Sequence, residues 1–162
     1  EKKPENATYR YNYGSLLLQA DRYDEAIEQL QKAVEIEPDN VQAQYNLGAA
    51  YVNRAVAVDD SIASIEDQIR EEEREATEEE ETQLQALVDK RKQNFEDAIP
   101  PLERARQMAR AGEESFKRDA CRALFTAYVQ TERSDKAAEV EECAGYKEGR
   151  AQEATGGGSN GN

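Results

Sequence analysis

The sequence repeats itself at a spacing of 34 residues. Tyr11, Asn12 and Gly14 return as Tyr45, Asn46 and Gly48, and "EKKPEN" at Glu1–Asn6 returns as "EIEPDN" at Glu35–Asn40. A period of this length is one supersecondary unit that buries its apolar face only against a neighbour, so the chain is constrained to a stack of like units. The stretch from Ala7 to Asn40 reads as helix, turn, helix. Gly14 and Ala26 let two helix backbones approach, and Ala33 offers a small side chain to the next unit. Asp24 and Glu25 fall in the first turn of the second helix, where carboxylates meet the positive end of the helix dipole. Pro38 ends that helix because it has no N–H to donate.

This unit resembles the tetratricopeptide repeat, a 34-residue helix-turn-helix family. The resemblance rests on Tyr13, Gly14 and Leu17 in the first helix and on Tyr23, Ala26, Leu30, Ala33 and Pro38 in the second. It implies an all-α fold, a right-handed α-α superhelix of such repeats. A second unit opens at Val41, with Leu47, Gly48 and Tyr51 at the same places. Its partner helix is expected about five residues after Val52, yet the match resumes only at "FEDAIPPLERARQM", Phe95 to Met108. There Phe95, Ala98, Leu102 and Ala105 stand for Tyr23, Ala26, Leu30 and Ala33. The second unit therefore carries an insertion of roughly 38 residues, about 57–94. A third, less regular unit follows, with Leu124, Tyr128, Ala137 and Ala144 at signature places. Phe125 replaces the small residue of the close approach, which predicts a looser crossing. Gly112 reads as a helix stop and Ser115 as an N-cap. The expected organisation is a repeat domain over 1–147 (repeats 7–40, 41–112 and about 115–147) and a flexible Gly/Ser/Asn-rich tail over 148–162. Pro4 aligns with Pro38 and reads as the end of an earlier repeat, and the sole Met is Met108. The chain is thus expected to be a piece of a longer array whose targeting region lies outside it, leaving cytoplasm and periplasm both open.

The inserted segment contains the run "IREEEREATEEEETQ", Ile69 to Gln83. Like charge at this density commonly marks disorder. The flanks argue otherwise. Tyr51, Ala55, Val58, Ile62, Ile65 and Ile69 recur at alternating spacings of four and three, as do Leu84, Val88, Arg91, Phe95, Ala98, Leu102 and Ala105. Those are seams of two helices packed on each other. Pairing Tyr51 with Ala98 sets Ile62 against Leu87 and Ile65 against Leu84, with the tip near Arg74–Glu75. "TEEE" at Thr77–Glu80 is a capping box that restarts a helix there. The expectation is an antiparallel helical hairpin in the second repeat, with about 19 extra residues per arm and a reach on the order of 30 Å. A disordered acidic loop is the alternative. Pro100 and Pro101 predict a kink, with Ile99 pushed off helical angles. Long-hairpin tetratricopeptide arrays of Bacteroidota resemble the "AIPPLERA" segment, Ala98 to Ala105.

Composition excludes much chemistry. The chain has no His, which removes His-based acid/base catalysis, the Ser-His and Cys-His pairs and the commonest zinc ligand. Cys121 and Cys143 are too few for a structural zinc site and are expected as free, partly buried thiols, with a disulfide as the alternative. Asp59, Asp60, Glu66 and Asp67 lack the spacing of a calcium loop. No phosphate-binding glycine loop is present, and neither an enzymatic activity nor a cofactor is expected. A formal net charge of −14, from 35 acidic and 21 basic residues, argues against nucleic acid. No apolar run is long enough to span a bilayer.

What remains is protein binding. By the resemblance, the first helix of each repeat lines a concave face that takes a peptide or a partner helix. Carried over by position, that face holds Thr8, Tyr11, Ser15, Leu18 and Gln19, then Gln42, Tyr45, Ala49, Val52 and Asn53, then Asp119, Arg122, Thr126, Val129 and Gln130. Tyr11 and Tyr45 are the expected aromatic anchors. Leu18 and Val52 serve equally well as packing between repeats. The carboxylate clamp of chaperone-binding members needs Lys and Asn where this chain has Tyr11, Ser15, Tyr45 and Ala49, which leaves Arg122 alone to hold a carboxylate. The expected partner is a protein or peptide, with a basic amphipathic segment fitting the acidic field. A spacer between other parts of a longer chain is the alternative function.

Overall fold

A computed structural model describes residues 6–110 and 113–146. The expected end of an earlier repeat at Pro4, the helix stop at Gly112 and the tail over 148–162 lie outside the described residues. Among the described residues every regular element is helical: α1 Ala7–Gln19, α2 Tyr23–Ile36, α3 Val41–Glu71, α4 Glu78–Met108, α5 Glu114–Gln130 and α6 Ser134–Glu141. Each helix packs on the next in the chain, and α3 also touches both α1 and α5.

Helices α1, α3 and α4 begin where the sequence offers a side-chain acceptor. Asn6 accepts from the Tyr9 N–H at 3.1 Å, and Asn40 accepts from the Ala43 N–H at 2.9 Å. Thr77 and Glu80 form the reciprocal capping box at the head of α4. Helix α5 departs from the expectation: its N-cap is Glu113, and Ser115 lies in the first turn. The Glu113 carboxylate reaches back to the Arg110 N–H at 2.8 Å, which moves the start of the helix ahead of the serine.

Three hairpin turns share one construction without glycine. After α1, Asp21 takes φ 56, and the Arg22 N–H donates back to Leu17 O at 2.9 Å. After α5, Glu132 takes φ 60, and the Arg133 N–H donates to Tyr128 O at 2.8 Å. After α3, Glu73 takes φ 49, and the Arg74 N–H points back to Ile69 O at 3.4 Å. This is the left-handed closure that absorbs the last free carbonyls of a helix.

Close approach of the helices is set by two glycines. A Cβ at Gly14 would lie 2.7 Å from Leu30 Cγ and 3.3 Å from Ala26 O. A Cβ at Gly48 would lie 2.4 Å from Leu102 Cγ and 3.2 Å from Ala98 O. The two sites are equivalent, although Gly14 reaches its partners across a short turn and Gly48 across the long α3–α4 excursion. Leu30, Leu102 and Phe95 are fully buried in the core these approaches create. Pro100 and Pro101 sit inside α4, which continues to Met108. Ile99 stays helical and buried, contrary to the expectation that it leaves helical angles. The two prolines leave the carbonyls of Glu96 and Asp97 without their i+4 donors, but packing of Ile99, Pro101 and Leu102 holds the helix together through them.

Candidate interaction surface

The surface is built from α1, α3 and α5, which lie side by side. Ser15 Oγ donates to Tyr11 O at 2.8 Å and accepts from Asn46 Nδ2 at 2.8 Å, which ties α1 to α3. Tyr45 and Phe116 tie α3 to α5, with ring centroids 5.0 Å apart and planes tilted by 58°. Burial, and then the nearby Asp119 carboxylate, push the Tyr45 hydroxyl pKa up. Tyr11, Leu18, Tyr45 and Val52 are half-buried against the core. Ala49 is half-buried beside them, and Asn53, Thr8, Gln19, Gln42, Asp119 and Gln130 are exposed. Thr126 spends its hydroxyl on Arg122 O at 3.2 Å. Val129 is 50% exposed. Arg122 donates from Nε to Ala144 O at 3.1 Å, so part of its guanidinium is committed to holding the chain after α6.

One surface residue escaped the sequence reading. Val56 is 49% exposed and lies four residues beyond Val52, one turn further along α3. The 34-residue alignment stops short of it, whereas helical periodicity from Tyr45 through Ala49 and Val52 leads to it directly.

Beyond the surface, α3 and α4 run on together. Arg54 fixes their root: its Nε and Nη2 donate to Asn94 Oδ1 at 2.9 and 2.6 Å, its Nη1 pairs with Asp24 of α2 at 2.7 Å, and its guanidinium lies over the Tyr51 ring at 5.2 Å. Further out, Arg91 pairs with Asp59 at 2.5 Å. Both pairs join α3 to α4. Ile62 is buried, while Ile65, Ile69, Leu84, Leu87 and Val88 are half-buried between the arms. At the tip Arg74 grips Glu80 through two bonds of 2.7 Å and Glu72 at 2.5 Å. With Thr77 also donating to it, the Glu80 carboxyl is pushed down to about 2. The glutamate run is thus ordered: Glu71 ends α3, Glu72, Glu73 and Glu75 lie in the turn, and Glu78–Glu81 open α4.

The cysteines are joined, which corrects the expectation of free thiols. Cys121 of α5 is bonded to Cys143, just past α6, with Cα atoms 5.9 Å apart. The antiparallel return of α6 along α5 brings them within bonding distance. Phe125 and Tyr146 pack beside the bridge, ring centroids 4.8 Å apart. Among the described residues no group of acidic or sulfur side chains is arranged to hold a metal ion, and no helix is long and apolar enough to cross a membrane.

Residues 14–54 match a model of the TPR repeat family. The matched segment runs from the Gly14 approach through α2 to Arg54 at the root of the long arms. It supports a tetratricopeptide repeat protein, a family that generally mediates protein–protein interaction and is typically non-enzymatic. No curated protein matches the chain.

Proposed function

We propose that the protein is a tetratricopeptide interaction module that binds a peptide or helix of a protein partner across the adjoining faces of α1, α3 and α5. In this reading these faces form the concave side of a right-handed superhelix. The units are 7–40, 41–112 and about 115–147, with the α3–α4 arms over about 57–94 inserted into the second as in Bacteroidota-type arrays. The observation that carries it is the exposure of Val56 and Val129, at 49% and 50%, flanking half-buried Tyr11, Leu18, Tyr45 and Val52. Apolar side chains on adjacent helices, with packing already satisfied beneath them, form a surface suited to a second apolar face. A net charge of −14 favours a partner segment that is amphipathic and basic, with Lys or Arg at the rim.

The test is site-specific photocrosslinking in extract of the source organism. A photoreactive side chain at Val56 or Val129 should capture the same protein, and one at Glu79 on the tip should not. Tyr11→Ala and Val129→Ala should each weaken binding of that protein by about 1–2 kcal/mol. Capture from Glu79 alone, with Glu79→Lys abolishing it, would move the site to the arms. No capture from any position would favour the spacer reading.

A further inference from the structure

Helices α5 and α6 are closed differently from the two pairs before them. The places of Gly14 and Gly48 hold Phe125, and those of Leu30 and Leu102 hold Glu141. The glycine–leucine crossing is therefore missing, and a ring stands where two backbones meet elsewhere. Helix α2 runs for 14 residues, whereas α6 stops after 8, at Glu141. The chain then turns through Gly145, at φ 83, and lays Glu142–Tyr146 against α5. Cys143 is bonded to Cys121, Ala144 O accepts from Arg122 Nε at 3.1 Å, and the Tyr146 ring lies on Phe125 with centroids 4.8 Å apart.

Arg122, Phe125 and Val129 share one stripe of α5, at spacings of three and four residues. Val129 is 50% exposed at one end of that stripe, and Glu142–Tyr146 covers the other. Apart from the bridge, the hold of this segment on α5 among the described residues is slight: buried Ala144, one ring pair and one hydrogen bond. The bridge can be reached from one side only. Cys121 is fully buried, but an open cleft of about 240 Å³, lined by Glu114, Lys117, Arg118, Glu142 and Gly145, leads to Cys143. Lys117 and Arg118 offset the two glutamates, so a thiolate entering the cleft meets no net like charge. We propose that Glu142–Tyr146 is a redox-released cover, which seals the Arg122–Phe125 end of the stripe while the bridge stands and opens when a dithiol reduces it. A thiolate of the reductant attacks Cys143 Sγ to form a mixed disulfide, and Cys121 leaves as a thiolate that takes up a proton. The second thiol of the reductant then closes on the first, Cys143 leaves as a thiol, and the reductant ends as a disulfide. Opening frees the Arg122 guanidinium and the Phe125 ring beside Val129, which lengthens the surface proposed above. The cover belongs to α5 and α6 alone and does not depend on what binds that surface.

The chain has no Trp, so Tyr146→Trp places a single tryptophan on Phe125. After complete reduction with dithiothreitol, checked by titrating both free thiols, its emission should shift to the red and its quenching by acrylamide should increase. Far-UV circular dichroism should lose no more than the signal of α6, and reoxidation should reverse the changes. Cys121→Ser combined with Cys143→Ser should emit like the reduced protein with or without dithiothreitol. A reductant-dependent shift in that variant would overturn the proposal, since the reductant would be acting elsewhere. Unchanged emission after complete reduction would also overturn it, because packing alone would then hold the segment. So would loss of most of the helical signal, because the bridge would then be a staple of the whole fold. Photocrosslinking from Val56 and Val129 with the bridge intact tests the partner surface separately.

Discussion

At the scale of single residues, contact distances decide outcomes that propensity alone gets wrong. Alanine is favoured over glycine inside a helix by about 1 kcal/mol. At Gly48 that gain meets a Cβ placed 2.4 Å from Leu102 Cγ, and Leu102 is fully buried. Overpacking typically costs 1–3 kcal/mol. Gly48→Ala should therefore destabilise the protein by up to about 2 kcal/mol in urea unfolding. Added to Leu102→Ala it should cost clearly less, since the clash partner is gone. Glu80 offers a pH test. Its carboxyl pKa falls from an ordinary 4.5 to about 2 through Arg74 and Thr77. A value lowered by folding means stability that is fully present above pH 4.5 and is lost as pH falls toward 2. Glu80→Gln should accordingly speed amide exchange at Glu78–Glu81 at neutral pH, and the difference from the native protein should close in the acid range. An equal effect at pH 7 and pH 2 would mean that the carboxylate charge plays no part.

Among the helices, what was legible was whatever repeats. Gly14 was read as approaching Ala26, and the equivalent approach of Gly48 to Ala98 follows from the period, because a small residue at a crossing leaves its mark in both helices. The arms were legible from their four-three seam, and the start of α4 from Thr77 and Glu80. Of the candidate surface, the first-helix positions could be read from the period, but their degree of exposure could not: Tyr45 turned out to share its ring with Phe116, and Arg122 to hold Ala144 O. The disulfide was not legible, since a spacing of 22 residues does not say how far α6 folds back along α5. Its importance follows from the size of that element. Helix α6 has 8 residues and buries only Ala137 and Val140. A helix so short needs tertiary support. Closing a loop of this length by a bridge contributes about 3 kcal/mol in the chain-entropy view. Reduction should thus loosen α6 before the other helices and expose Lys136 to trypsin. Cleavage there at the same rate with and without reductant would show that packing alone holds the helix.

For the molecule as a whole, charge and shape both matter. The net charge of −14 is spread over a chain whose ion pairs are mostly at the surface, where each contributes little. Self-repulsion should lower stability at low ionic strength, and screening should relieve it. The melting temperature should rise by several degrees from millimolar to molar sodium chloride, and a flat response would mean that local pairs already balance the field. Shape has a separate consequence. In the proposed reading, the paired arms of α3 and α4 carry a rod on the order of 30 Å away from the remaining helices. Such an appendage drags solvent out of proportion to its mass and makes tumbling anisotropic. A chain of 18.2 kDa built this way will elute early from a sizing column, as a larger compact sphere would. Its apparent radius reports the rod rather than the number of copies.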